Sequence, residues 1–220
     1  MTHANSITRP ASDETGEQTA EETASDGLAK TVGKAALRKQ LLQLRRGQAP
    51  AARAAWDTKI ARHLQQWCEQ HKPRSIGVYW PIQAEPDLRQ LYPVLAASGI
   101  QLALAVAHTR DMPLAFAKWT PGDAMEKDVH GIPVPALRDE GALIWPEVVL
   151  IPCVGFSKQK FRLGYGGGYY DRTLAAAPVS SDSGAIKTVG IAYQCGLAEF
   201  ETEAHDMPLD AVISEAGCLE

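Results

Sequence analysis

The chain has 220 residues, 45% of them hydrophobic, and a formal charge of −4. This is enough apolar material for one sizeable core, and no apolar run approaches the ~20 residues that a membrane-spanning helix needs. Six acidic residues and one basic residue fall within positions 1–29, leaving 21 basic and 20 acidic residues for the body, a near-neutral balance that argues against a general nucleic-acid binder.

Cys68, Cys153, Cys195 and Cys218 form no C-x-x-C pair. Scattered cysteines in a chain of this size point to a reducing, cytoplasmic setting. The N-terminus has no apolar h-region of a secretory signal. Residues 1–28 are rich in Ser, Thr, Glu, Asp and Ala and cannot bury enough surface to offset ordering entropy. They are expected to form a disordered acidic tail before a single domain over residues 29–220.

Leu37, Leu41 and Leu44 recur at helical spacing before Gly47. Lys34, Arg38 and Arg45 flank that stripe. They read either as a solvated basic face or, through Lys34 and Arg38, as an arm reaching a polyphosphate. Pro50 suits the first turn of a second helix, with Trp56, Ile60, Leu64 and Trp67 as its buried stripe. After Pro73, residues 75–80 read as a buried strand running into the loop 81–87. That loop lies at the carboxyl edge, where open α/β sheets hold ligands. Glu85 within it is either a polar substrate contact or an acid at a helix N-terminus.

Residues 88–97 read as a helix with Leu88, Leu91 and Leu95 on one face, and 100–107 as a second strand. Residues 114–119 form a third, antiparallel because the linker is short. Residues 120–146 have no clear period and are expected to be a long connection with room for one short helix. Residues 147–152 form the strand that delivers the chain to its most informative stretch.

That stretch is Arg162-Leu-Gly-Tyr-Gly-Gly-Gly-Tyr-Tyr-Asp171-Arg172, with Gly164, Gly166, Gly167 and Gly168 in five positions. Glycine loses more backbone freedom on folding than any other residue, so such a cluster implies a steric need. A strand, a glycine-rich loop and a helix (169–177) let several N–H groups converge on an anion beside the helix's positive end. Arg162, Arg172, Lys158 and Lys160 supply charge, and Tyr165, Tyr169 and Tyr170 supply flat faces and hydroxyls. Asp171 is an oxygen ligand for a hard cation beside phosphate. A flexible Gly/Tyr turn is the plainer alternative. The loop is neither G-x-G-x-x-G, since Tyr169 stands where the last glycine would fall, nor a Walker loop, since Gly-Lys-Ser/Thr is missing. Residues 178–184 read as a surface loop, 188–193 and 211–214 as the last strands. His205-Asp206 would hold a metal or exchange protons, although such a dipeptide also simply makes a turn.

Taken in order, these pieces resemble the 5-formyltetrahydrofolate cyclo-ligase family, also called 5,10-methenyltetrahydrofolate synthetases. The resemblance rests on Lys34-Ala-Ala-Leu37-Arg38, on Tyr79-Trp80 with Glu85, and on Pro152-Cys-Val-Gly155-Phe156 followed by the run from Arg162 to Asp171. His205-Asp206 with Leu209-Asp210 completes it. It implies a three-layer α/β/α single domain around a mostly parallel central sheet. It also implies ATP, Mg²⁺ and 5-formyltetrahydrofolate, with or without added glutamates, as reactants. The implied reaction is phosphorylation of the formyl oxygen followed by attack of N10, giving 5,10-methenyltetrahydrofolate, ADP and phosphate.

The resemblance assigns ATP to Lys34, Ala35, Ala36, Leu37 and Arg38, and to Arg162, Leu163, Gly164, Tyr165, Gly166, Gly167, Gly168, Tyr169 and Tyr170. It assigns the folate to Trp80, Glu85, Tyr165, Gly166, Gly167, Gly168 and Tyr169, and Mg²⁺ to Asp171 and Asp206. A cytoplasmic monomer without membrane or nucleic-acid partners is expected. Two other classes stay open: a relative that binds folate or nucleotide without turnover, and a single-stranded RNA module that stacks bases on the Gly/Tyr loop.

Overall fold

The computed structural model describes residues 33–136, 142–178, 185–203 and 206–220. The expected tail, the expected loop 179–184 and His205 lie outside the described residues, the loop's Pro178 alone being described. Two helices open the domain, α1 (Lys34–Arg46) and α2 (Pro50–His71). Strand β1 (Ser75–Val78), helix α3 (Tyr92–Ala97) and strands β2 (Gln101–Val106) and β3 (Ala115–Lys118) follow. A small hairpin, β4 (Met125–Lys127) and β5 (Pro133–Pro135), precedes β6 (Val148–Pro152). A second hairpin, β7 (Gly155–Phe156) and β8 (Arg162–Leu163), leads into α4 (Tyr169–Ala176). Strands β9 (Lys187–Ile191), β10 (Ala211–Ser214) and β11 (Gly217–Leu219) close the domain.

The main sheet has seven strands in the order β11-β10-β9-β6-β1-β2-β3. The middle five are parallel, and the edge strands β3 and β11 are antiparallel. Alternation sorts each strand's side chains to two faces. Ile76, Val78, Leu102, Leu104, Val148 and Leu150 pack with Ile60, Leu64 and Trp67 of α2 and Leu95 of α3. Ala103, Val149, Ile151 and Val212 face the other way, toward Phe116 and the partly buried Tyr170 and Leu174 of α4. The result is the expected three-layer architecture. Strand order reverses between β1 and β6, one branch running out to β3 and the other to β11.

Some expectations need correction. The helix expected over 88–97 starts only at Tyr92. The Asp87 carboxylate accepts the Arg89 N–H at 3.1 Å and holds a turn there, and Pro93 sits in the first helical turn, where its missing N–H is harmless. Leu88 and Leu91 are nevertheless buried. The connection 120–146 contains the β4–β5 hairpin, and its residues 137–141 lie outside the described residues. Its strands are too short for a two-residue period to show. β7, β8 and β11 escaped notice for the same reason. No helix among the described residues is long and apolar enough to cross a membrane.

Gly77 marks a close approach to the sheet. A Cβ there would lie 2.7 Å from the Phe116 ring and 2.9 Å from Pro146, and Phe116 is itself buried. Gly77→Ala is therefore expected to destabilise the domain by about 1–3 kcal/mol through overpacking. Urea unfolding should show a lower midpoint at an unchanged m value; an unchanged midpoint would mean that Phe116 has room to move.

Candidate active site

A cleft of about 670 Å³ opens at the carboxyl ends of β1, β2 and β6. This is the point of strand-order reversal, where parallel strands leave a crevice between diverging connections. One wall comes from α1, one from the loop after β1, and the floor from the stretch between β8 and α4.

The close approach of α1 depends on glycine. A Cβ on Gly155 of β7 would lie 2.5 Å from Leu41 Cδ1 and 3.0 Å from the Gly196 carbonyl. Leu41 therefore seats against bare backbone, with Val154 and Leu163 around it. Arg38, one turn earlier on α1, donates through Nε to the Gly164 carbonyl at 2.9 Å. Its guanidinium lies over Gly166, whose Cβ would come 3.7 Å from Arg38 Cζ. Gly166 has φ +93°, and Gly168, the residue before α4, has φ +65°. Arg172 reaches back to the Gly167 carbonyl at 2.8 Å. Two loop carbonyls are thus held by arginines. Among the described residues, the N–H groups of Gly164 to Gly168 meet no acceptor. Unpaired donors beside a helix start suit an anion.

Charges at the loop are already paired. Lys34 bonds Asp206 at 2.8 Å and Glu203 at 2.9 Å, and these bonds, Asp206 first, raise its pKa. Arg162 pairs with Asp171 in the first turn of α4. Each acid expected to meet a metal therefore lies in the cleft wall beside a cation expected to meet phosphate. Hard carboxylate oxygens next to a phosphate site fit Mg²⁺, which keeps few protein ligands and shares phosphate oxygens.

The opposite wall is built around Glu85, which is 4% exposed. The reading of Glu85 as a helix N-terminal acid falls away, because α3 starts only at Tyr92. Instead Gln83 and Ala84 take positive φ, and the Glu85 N–H bonds the Ile82 carbonyl at 2.8 Å, forming a tight turn that aims the side chain inward. Ile82 N–H donates to Oε2 at 2.8 Å and the Tyr165 hydroxyl to Oε1 at 2.7 Å. Burial raises the Glu85 pKa, while these two donors and the charge of Arg45 oppose the rise. Trp80 lies beside it in the cleft, with the Arg89 guanidinium 5.0 Å from its ring centroid.

Of the residues assigned from sequence, Lys34, Arg38, Trp80, Glu85, Asp171 and Asp206 all line this one cleft, as does every residue from Arg162 to Tyr170. Ala35 and Ala36 are exposed and lie outside the lining, while Leu37 packs beside Leu41. Tyr170 turns toward the core, and burial lifts its hydroxyl pKa well above the ordinary value. Arg45 departs from the expected basic flank: it is 3% exposed, bonded to Tyr165 and to the Cys153 carbonyl. His130 was not anticipated. Its Nε2 lies 2.6 Å from the Tyr169 hydroxyl, and Asp128 fixes it by accepting the N–H groups of His130 and Ile132 at 2.8 and 2.9 Å. The sequence signal was Asp128-Val-His-Gly131, an Asx-type turn closed by glycine.

Comparison with known proteins points one way. Residues 30–215 match the sequence model of the 5-formyltetrahydrofolate cyclo-ligase family. A 5-formyltetrahydrofolate cyclo-ligase of Haemophilus influenzae is 31% identical over 158 residues, covering 70% of this chain and 82% of that one. One of Mycolicibacterium smegmatis is 30% identical over 189 residues, covering 82% and 93%. The solved 5,10-methenyltetrahydrofolate synthetase of Aquifex aeolicus superposes with a TM-score of 0.69 at 26% identity, covering 84% of this chain and 91% of that one. That of Mycoplasma pneumoniae gives 0.63 at 26% identity, covering 84% and 99%.

The loop's backbone can be tested directly. Gly166→Ala places a side chain at positive φ and is expected to lower stability by about 1–2 kcal/mol. Gly164→Ala, where nothing lies within 4 Å of the new methyl, should stay within about 0.5 kcal/mol of the parent. Equal effects in chemical denaturation would show that conformation at Gly166 is not what the loop needs.

Proposed function

This chain belongs to the 5-formyltetrahydrofolate cyclo-ligase family, and on that premise we propose that it converts 5-formyltetrahydrofolate to 5,10-methenyltetrahydrofolate, consuming ATP with Mg²⁺. The observation that supports the reading best is convergence. Arg38 and Lys34, the unpaired loop N–H groups, and the Glu85–Trp80 wall share one cleft, although they come from distant parts of the sequence.

Lys34, Arg38, Arg162 and the N–H groups of Gly164 to Gly168 take the polyphosphate. Glu85 accepts from ring N–H donors of the folate, and Trp80 and Tyr169 offer faces for its rings. The formyl oxygen attacks the γ-phosphorus, and ADP leaves with the electrons of the broken P–O bond. The N5 lone pair then forms the N5–carbon double bond. N10 attacks that carbon and gives up its proton, and the carbon–oxygen bond breaks to release phosphate. Chemistry of this kind needs positioning and charge neutralisation more than covalent help. Asp171 and Asp206 would hold Mg²⁺, which when bound neutralises phosphate charge. A nucleophilic side chain plays no part. Cys153 lies behind the cleft wall, with its thiol pushed up to about 12 by burial. A monomer working in the cytoplasm completes the reading.

Folded protein given ATP, Mg²⁺ and 5-formyltetrahydrofolate should develop the absorbance of the methenyl product with one ADP formed per turnover. Folate binding without product would assign the chain to the silent relatives instead. Asp171→Ala should lower turnover at least about tenfold, or 1.4 kcal/mol, and raise the Mg²⁺ needed for half-maximal rate. An unchanged rate would remove Asp171 from the metal site.

A further inference from the structure

We infer that Arg45 is a positioning residue for the folate end of the cleft: acting through Tyr165, it keeps Glu85 a carboxylate ready to accept the substrate's N–H donors. The inference rests on the reading that Glu85 meets the folate.

Arg45 runs inward from the last turn of α1. Its Nη1 donates to the Cys153 carbonyl at 3.3 Å and its Nη2 to the Tyr165 hydroxyl, with the guanidinium carbon 5.6 Å from that ring's centroid. A guanidinium has no acceptor. The Tyr165 oxygen must therefore accept from Arg45 and direct its single proton to Glu85 Oε1, at 2.7 Å. With Oε2 taking the Ile82 N–H at 2.8 Å, each carboxylate oxygen keeps a lone pair for a ligand.

Arg38 and Arg162 share the cleft with Glu85, and Arg53, Asp57, Asp87 and Arg89 line the neighbouring pocket with it, but the charge that acts on Glu85 is that of Arg45. Tyr79, Tyr92, Tyr165, Tyr170 and Cys153 all feel Glu85, and burial holds each of them neutral. Arg45 is the cation that opposes the cost of burying the carboxylate. Without it, burial favours the protonated acid, which would aim a donor at the substrate's donors. Stability alone is a poor reason for this arginine. Its Nε is buried with no partner among the described residues, and a buried ion pair is often matched or bettered by a well-packed apolar side chain.

The test follows kcat/KM for 5-formyltetrahydrofolate from about pH 5.5 to about pH 9 in Arg45→Met, Arg45→Lys, Tyr165→Phe and Glu85→Gln. Arg45→Met should raise KM for the folate at least about tenfold near neutrality while leaving KM for ATP within about twofold. The carboxylate is the binding form, and losing the cation raises the pH at which it forms. The acid limb therefore moves to higher pH, and the defect shrinks as pH rises. Arg45→Lys should restore most of the loss, and Tyr165→Phe should shift the limb in the same direction even if Arg45→Met fails to fold. Glu85→Gln should show the raised KM without recovery at high pH. If the protein binds folate without turnover, the same series is read from Kd. An unmoved acid limb with a raised KM in Glu85→Gln overturns the inference alone. An unchanged KM in Glu85→Gln overturns both it and the placement of the folate at Glu85.

Discussion

The cleft depends on how closely α1 can approach the strand after β6. Leu41 occupies the space that a side chain on Gly155 would need. That contact decides where Lys34, Arg38 and Arg45 fall, because a helix docked through one residue fixes the others along its face. A docking distance longer by one methyl group would carry Arg38 away from the Gly164 carbonyl and Arg45 away from Tyr165. Van der Waals fit at one apolar point thus governs the electrostatics of both ends of the site.

Those electrostatics follow one pattern, in which each cation is held by an oxygen before any ligand arrives. Lys34 has two carboxylates, Arg162 has Asp171, Arg38 has a loop carbonyl, and Arg45 has a phenol and a carbonyl. A preorganised cation does not have to be ordered when the phosphate enters, which removes part of the entropy of binding. In return, the phosphate must displace or share those oxygens. Sharing is easiest for a ligand that brings a divalent ion, because the displaced carboxylates then have a new partner.

Most of the sheet was legible in the sequence because its strands are buried runs bounded by Pro and Gly. Residues 211–214 fell on β10 without error, and the other strand limits moved by one or two positions. The helix at 88–97 was overextended because a turn at Leu88 to Leu91 buries the same leucines as a helix would. The loop 162–171 was legible because glycine clustering has a steric meaning. Arg45 was not, since spacing along α1 shows which face it shares but not that the face is covered. His130 was invisible for a related reason: its partner Tyr169 is 39 residues away, and only the Asp128 turn brings them together.

Apart from the Arg46–Gln83 bond, which spans 37 residues, the ties that hold α1 to the cleft span 108 to 172 residues, whereas much of the sheet's pairing forms between nearer neighbours. Loop closure over such distances is entropically late. α1 also docks on a small apolar cluster of its own, separate from the two that sandwich the sheet. Its attachment is accordingly a weaker cooperative unit than the fold beneath it. A freshly made chain would own its scaffold before its charge centre. An intact molecule could also release the first helix briefly while every strand stayed paired, so that readiness to bind becomes a matter of how long one helix stays seated.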